Sequence, residues 1–337
     1  MLAASIDACA LWRLFMPHLS LPGSGFYCFM QQPSFDIIST YEVAVVQRCC
    51  TTEQFRFIET AARFGLKIVY DLDDDVWDLP EYNPAHSILN QYKQGFNTCI
   101  RIVDMVTVST RMLAKVVRKN VKTMVNARTG KEIPIRVCEN RMQERLFVSP
   151  VAPVSPLLVG WAGSSSHIGD LKLVELAVIA CAKERPDVMF EFRGCELPVD
   201  SKILELKNYR HRYWMPVAEY GARMPMWGWG LALAPVTEHP FNDSKSCIKM
   251  VEAAYCKIPT LASWVRPYDE FCGWDKELIW LLCAGTSSWE RKMRELINDD
   301  ARRIELGERC YKVMKEHYSL DKPHESWQQV IAEVRAL

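Results

Sequence analysis

Two lysines and a glutamate carry the most specific chemistry in this 337-residue sequence. They lie in Pro235-Val236-Thr237-Glu238-His239-Pro240-Phe241-Asn242-Asp243-Ser244-Lys245-Ser246-Cys247-Ile248-Lys249-Met250-Val251-Glu252-Ala253-Ala254-Tyr255. Asn242, Asp243 and Ser244 are residue types that open helices, and they follow an apolar run that ends at Pro235. The pattern predicts a helix from about Ser244 to Cys256. On it Lys245, Lys249 and Glu252 stand at i, i+4 and i+7 and share one face, while Met250, Val251 and Ala254 are free to pack on a sheet. Exposed N–H groups, the helix dipole and two ammonium groups suit a diphosphate, and a carboxylate one turn deeper can accept hydrogen bonds from a ribose diol. A solvated helix with a Lys249–Glu252 ion pair fits the same spacing. The position after a strand and Pro-Phe-Asn favours the nucleotide-sugar reading, in which Ser244 joins as a donor-side residue.

Other residues suit neighbouring roles. In Val159-Gly160-Trp161-Ala162-Gly163-Ser164-Ser165-Ser166-His167 an apolar run gives way to small residues. Gly163 lets the backbone approach a phosphate and Ser164 adds a donor, although an ordinary Gly-Ser turn has the same composition. Arg193 and Gly194, after the run Val188 to Phe192, are further nucleotide-side candidates. In the first half, Asp73, Asp74 and Asp75 follow Val69-Tyr70-Asp71-Leu72. Carboxylates at the carboxyl end of a parallel strand face the crevice of an α/β domain. Asp73 and Asp74 are the candidates for catalysis and Asp75 for the acceptor side, with helix capping, surface charge or metal binding as competing uses. His167 is the third catalytic candidate and His86 the other crevice histidine; a lone histidine is more often a satisfied hydrogen-bonding group.

Those residues need a scaffold of parallel strands. Apolar runs Phe26 to Phe29, Val43 to Val46, Leu66 to Leu72 and Met105 to Val108 alternate with helical patterns, one of them opened by Thr52 and Glu53 and carrying Phe55, Ile58 and Ala62. The Pro-rich stretch Ser149 to Pro156 has the composition of an interdomain linker. Beyond it the alternation restarts: strand-like runs at Leu157 to Trp161, Val188 to Phe192, Leu231 to Pro235 and Thr260 to Ser263, with a helix from about Asp170 to Glu184. Charged helices are expected at about Ser288 to Tyr318 and Lys322 to Leu337. The order predicts an α/β protein with Rossmann-like domains at 1–150 and 151–318, and a terminal segment, 319–337, whose Trp327, Val330, Ile331 and Val334 pack back on the first domain.

Composition bounds the function. Lys and Arg together number 41, as do Asp and Glu, so no overall basic field advertises a polyanion partner. Arg111, Lys115, Arg118, Lys119 and Lys122 leave room for a local basic patch. The 13 cysteines include no CxxC pair or zinc-ligand spacing and read as reduced core residues of a cytoplasmic protein, the adjacent Cys49 and Cys50 included. Asp7 and Arg13 interrupt the early apolar stretch, so neither a signal peptide nor a membrane span is expected.

Pro-Phe-Asn-x-x-Lys-Ser-x-x-Lys-x-x-Glu-Ala-Ala, followed by Lys257-Ile258-Pro259-Thr260-Leu261-Ala262-Ser263, resembles the donor-site segment of GT-B glycosyltransferases of the large group-1 family, bacteriophage-type members above all. The segment 159–167 resembles the first strand and loop of that family's C-terminal domain, and 69–77 the Asp-rich strand end of its phage-type members. The likeness implies a ribose-binding Glu252, a diphosphate held by Lys245 and Lys249, and transfer from a nucleoside diphosphate-sugar with retention of configuration. It also implies no metal and no permanently bound cofactor. It implies an acceptor-side or phosphate role for Arg13, an N-terminal glycine loop that is short or missing, and, for a phage protein, location in the host cytoplasm. The acceptor would be a hydroxyl of a glycan, or of a hydroxymethylated pyrimidine in phage DNA. Relatives with a two-glutamate signature carry another Glu where this chain has Ser244, which keeps a non-catalytic sugar-nucleotide or glycan-binding protein as the alternative.

Overall fold

The computed structural model describes residues 1–30, 34–320 and 325–337. Twelve strands are assigned among them: β1 Leu2–Ala3, β2 Tyr27–Cys28, β3 Val43–Gln47, β4 Lys67–Leu72, β5 Met105–Val108, β6 Ile135–Val137, β7 Leu158–Gly163, β8 Met189–Gly194, β9 Tyr209–Tyr213, β10 Leu231–Ala234, β11 Thr260–Ser263 and β12 Leu282–Cys283. They form two sheets, ordered β2-β1-β3-β4-β5-β6 and β12-β11-β10-β7-β8-β9. Every pairing is parallel, which demands a crossover between successive strands and both faces covered. Accordingly β4, β5 and β10 are buried almost throughout.

Each sheet reverses its winding once, between β1 and β3 in the first and between β7 and β10 in the second. The second order is the doubly wound dinucleotide-binding one; the first follows the flavodoxin-like pattern with one added strand. In both, a ligand is favoured beyond the carboxyl ends of the strands that flank the reversal. Local sequence supports the crossovers. Thr51 and Gln54 form a reciprocal capping box for the helix Thr52–Arg63, and Thr110 caps Arg111–Asn120 through the Leu113 N–H.

Two chain crossings join the halves and lie side by side. The Met142 N–H donates to the Tyr318 carbonyl at 2.7 Å, and the Leu320 N–H donates back to Met142 at 2.8 Å. Glu144 accepts from Lys315 at 2.8 Å and from Ser319 at 2.6 Å. The Pro-rich stretch is bound rather than free: Val151 and Val154 donate to the carbonyls of Pro225 and Gly228. In the terminal helix Glu325–Ala336, Trp327, Val330 and Val334 are buried with Ala3, Leu14, Val45 and Val69 of the first half.

Several expectations need correcting. The short strands β1 and β6 have no run long enough to stand out. The span 288–318 is broken: Thr286–Asn298 ends where Asp299 caps a second helix, Asp300–Val313, by accepting from the Arg302 N–H. The span 170–184 begins with a 3-10 segment and is α-helical only over Glu175–Glu184. The expected start of the last helix at Lys322 lies outside the described residues. Among the described residues, no helix is long and apolar enough to cross a membrane.

Candidate active site between the two sheets

A cavity of about 290 Å³ opens where the carboxyl ends of the two sheets meet. Its lining includes Cys9, Asp73 and Asp74 from the first half and Gly163, Ser164, His167, Lys245, Lys249 and Glu252 from the second. A second cavity, about 310 Å³, lies near the amino ends of β1 and β3 and the C-terminal helix, and carries none of the sequence-predicted site residues.

The expected helix at 244–256 is two pieces. Pro240–Asp243 forms one turn, capped by His239 Nδ1 accepting from the Phe241 N–H at 3.1 Å, and the second helix starts only at Ile248. The break falls at Ser244, whose hydroxyl donates to the Phe241 carbonyl at 2.8 Å and whose own carbonyl accepts from Thr110 of the first half at 2.7 Å. A tertiary contact thus takes the carbonyl that helical continuation would use. Lys245 precedes the helix instead of riding on it, yet the bend still brings Lys245, Lys249 and Glu252 to one cavity.

Lys249 lines the cavity from the second half of the chain. Its ammonium donates to the Ala162 carbonyl and lies 5.6 Å from the Trp161 ring centroid. No ion-pair partner lies within reach among the described residues, and burial pushes its pKa down. Glu252 is pushed up to about 7 by burial, although Tyr220 and Trp12 hydrogen-bond to it. Lys245 sits 4.3 Å from the Phe241 ring centroid and donates to both oxygens of Asp74, at 3.0 and 3.1 Å, across the cleft.

On the first-half wall Asp73 is buried, its Oδ1 without a hydrogen bond among the described residues but 3.7 Å from Arg48 Nε. Arg48 also donates to Asp7 at 2.9 Å. Ligand atoms of Cys9, Asp73 and Asp74 lie within 4.8 Å of one another, a spacing that could hold a divalent ion. The thiol is pushed far up by burial, and Arg48 and Lys245 already stand against the two carboxylates, so the donor set is a poor match for a metal.

Other candidates stand away from the cavity or are spoken for. Asp75 Oδ1 accepts from the N–H groups of Trp77 at 2.8 Å and Asp78 at 3.1 Å, a turn-capping role instead of an acceptor-side one. Arg13 touches the cavity, but its guanidinium is consumed: it donates to Asp71 Oδ1 at 2.6 Å and Oδ2 at 3.1 Å, to Asn140 at 3.0 Å and to the Cys138 carbonyl. It is a fastening in the first half, not a free cation. Arg193 pairs with buried Glu191 at 2.6 Å and lies over the Trp227 ring. Gly194, at φ +105, has a packing reason to be glycine: a Cβ there would sit 2.2 Å from the Gly163 carbonyl oxygen. Ser244 is buried and internally bonded. His86 faces Asn90, its Nε2 3.0 Å from the amide nitrogen.

Sequence reasoning missed Asp170, Arg48, Tyr220 and Trp12. The i, i+3 spacing of His167 and Asp170 was a usable signal; Arg48, at φ +47, had none.

Two doubly wound parallel sheets with the candidate site between their carboxyl ends define the GT-B fold. Solved structures bear this out. HepE from Anabaena, in complex with UDP, superposes with a TM-score of 0.62 at 12% identity over 98% of each chain. Sucrose-phosphate synthase from Thermosynechococcus elongatus gives 0.59 at 12% identity, covering 88% of this chain and 74% of that one. TarM gives 0.59 at 14% identity over 88% of this chain. The chain spans little more than half the length of the GtfA/B and TarM chains it matches, 57% and 55%. No protein-family model and no curated protein matches it.

Proposed function

We propose that the protein is a glycosyltransferase that moves a sugar from a nucleoside diphosphate-sugar to a hydroxyl acceptor. The observation that carries this reading is the convergence of Lys245, Lys249 and Glu252 on one cavity at the winding reversal of the second sheet. The two ammonium groups supply the charge that a departing diphosphate needs, and Glu252 supplies an acceptor for the ribose diol. In support, HepE structures are complexes with UDP and with UDP-glucose, and a S. aureus TarM variant is a complex with UDP and α-GlcNAc-glycerol.

In this reading residues 1–150 form the acceptor side and 151–318 the donor side, while 319–337 returns to the first domain. Gly163 and Ser164 border the diphosphate. Asp73 and Asp74 face the acceptor, and transfer proceeds by positioning and electrostatic stabilisation with no metal and no resident cofactor. Retention of configuration rests on the group-1 resemblance.

The acceptor is a glycan, or a hydroxymethylated pyrimidine in phage DNA. A specific observation favours an anionic polymer in either case: residues 105–131 hold seven Lys or Arg and no Asp or Glu. Five of these, Arg111, Lys115, Arg118, Lys119 and Lys122, are exposed along and just beyond the helix that Thr110 ties to the cleft. The Ser244 substitution favours the rival, a sugar-nucleotide-binding protein without turnover.

Incubation with a panel of sugar nucleotides, with and without glycan and hydroxymethylated DNA acceptors, decides between the two. Release of nucleoside diphosphate with a matching mass gain on an acceptor is the expected result. Binding without release under every condition would establish the rival.

A further inference from the structure

Asp170 stands behind His167, which lines the cavity, and it is 1% exposed. Its Oδ1 accepts from the Thr237 N–H at 2.8 Å, the Thr237 hydroxyl at 3.0 Å and the Tyr82 hydroxyl at 3.1 Å. Its Oδ2 faces His167 Nδ1 at 2.9 Å. Tyr82 reaches it from the first half of the chain, so both halves contribute to this network. The acid titrates below its usual range: hydrogen bonds and the neighbouring imidazole outweigh the opposing cost of burial.

An ionised carboxylate can only accept, so His167 must offer its proton at Nδ1. Burial and the charges of Lys249 and Lys245 hold the imidazole down to about 4, which leaves it neutral near pH 7. In a neutral ring with the proton on Nδ1, Nε2 carries a lone pair. Nε2 makes no hydrogen bond among the described residues, and His167 lines the same cavity as the two lysines.

A lone pair there rejects what the lysines attract, because ionised phosphate oxygens offer no proton to it. What it can bind is a hydroxyl. We propose that Asp170 fixes His167 as a hydroxyl acceptor for the sugar of the donor, so that His167 distinguishes a nucleotide sugar from the bare nucleoside diphosphate. This assignment rests on the nucleotide-sugar reading above and adds the group that reads the sugar. Asp170 is a positioning residue, acting through His167. The acceptor substrate could supply the same hydroxyl chemistry, and the binding arms below separate the two sources, since they contain no acceptor.

The test uses the full chain with UDP and UDP-glucose as probes. Calorimetry should show His167→Ala losing about five- to tenfold in UDP-glucose affinity, the worth of one hydrogen bond, with UDP affinity unchanged. Long-range proton–nitrogen NMR should place the His167 proton on Nδ1 and, in Asp170→Asn, on Nε2. The Thr237 N–H can only donate, so in that variant it holds the new amide oxygen where Oδ1 was and turns the NH₂ toward the ring. Equal losses for both ligands would make His167 a phosphate contact and overturn the proposal. No loss for UDP-glucose, or an Nε2–H proton in the unmodified protein, would overturn it as well. If the unmodified protein does not bind UDP, the same titrations are run with the other nucleoside diphosphates, and failure with all of them would sink the donor reading and this proposal together, whereas the other negative results leave the donor reading standing.

Discussion

The two walls of the cleft are built from the same kind of sheet and dispose their charges differently. On the first wall Arg13 is matched by Asp71, and Arg48 by Asp7 and Asp73. On the second, Lys249 forms no ion pair among the described residues and meets a carbonyl oxygen and an aromatic face, while Glu252 beside it is shifted toward the neutral acid. The one ion pair that crosses the cavity among the described residues, Lys245 with Asp74, joins them. A wall whose charges are matched internally holds its shape without a ligand. In the proposed reading, a wall with an unmatched ammonium is completed by an anion. Two arginines and two lysines near one cleft therefore do unlike work, and residue type alone does not separate them.

The comparison breaks most visibly at Arg13. Arg13→Met should cost about 3–5 kcal/mol, because it strands the Asp71 carboxylate in the core, and urea unfolding would measure this. UDP affinity of the folded fraction should not change. A large affinity loss with intact stability would restore Arg13 to the ligand site.

Glu252 gives the next largest effect, and its sign follows from burial. Its acid group is raised from 4.5 to about 7, so the folded chain holds a proton that the unfolded chain releases. Its contribution to stability is complete below about 4.5 and is lost as pH rises through about 7. Glu252→Gln should flatten that part of the profile of melting temperature against pH between about 4.5 and 8; an unchanged slope would show that Glu252 is not the titrating group.

Asp74→Asn sharpens the comparison with the smallest change. Freed from its partner, Lys245 should hold a diphosphate about two- to fivefold more tightly, the range of a partly exposed ion pair. Weaker UDP binding in this variant would mean that Asp74 supports the ligand instead of competing with it.

Much of this was legible in the sequence. Apolar runs at strand spacing gave the parallel α/β pattern, and Met105–Val108 matches its strand residue for residue. Lys245, Lys249 and Glu252 were found through helical spacing, although Lys245 reaches the cavity from a bend. The three still meet at one cavity because so short a stretch of chain cannot stray far from a common face. What stayed hidden were facts of pairing. Nothing around Arg13 shows that Asp71, on a strand 58 residues along the chain, consumes it, whereas Glu191 stands two residues before Arg193 on the same strand face and went unread. The break at Ser244 was equally invisible, because it depends on Thr110, 134 residues away. The Asp170–His167 spacing was present and went unread, as i, i+3 pairs are common and only burial gives this one its meaning.

The most direct test of an anion-completed second wall is calorimetric titration of UDP and of uridine into the unmodified protein and into Lys249→Ala. Removal of the ammonium should weaken UDP about ten- to a hundredfold, the worth of a hydrogen bond to a charged group, and leave uridine binding unchanged. Equal weakening of both ligands, or of neither, would contradict the claim that Lys249 waits for a diphosphate.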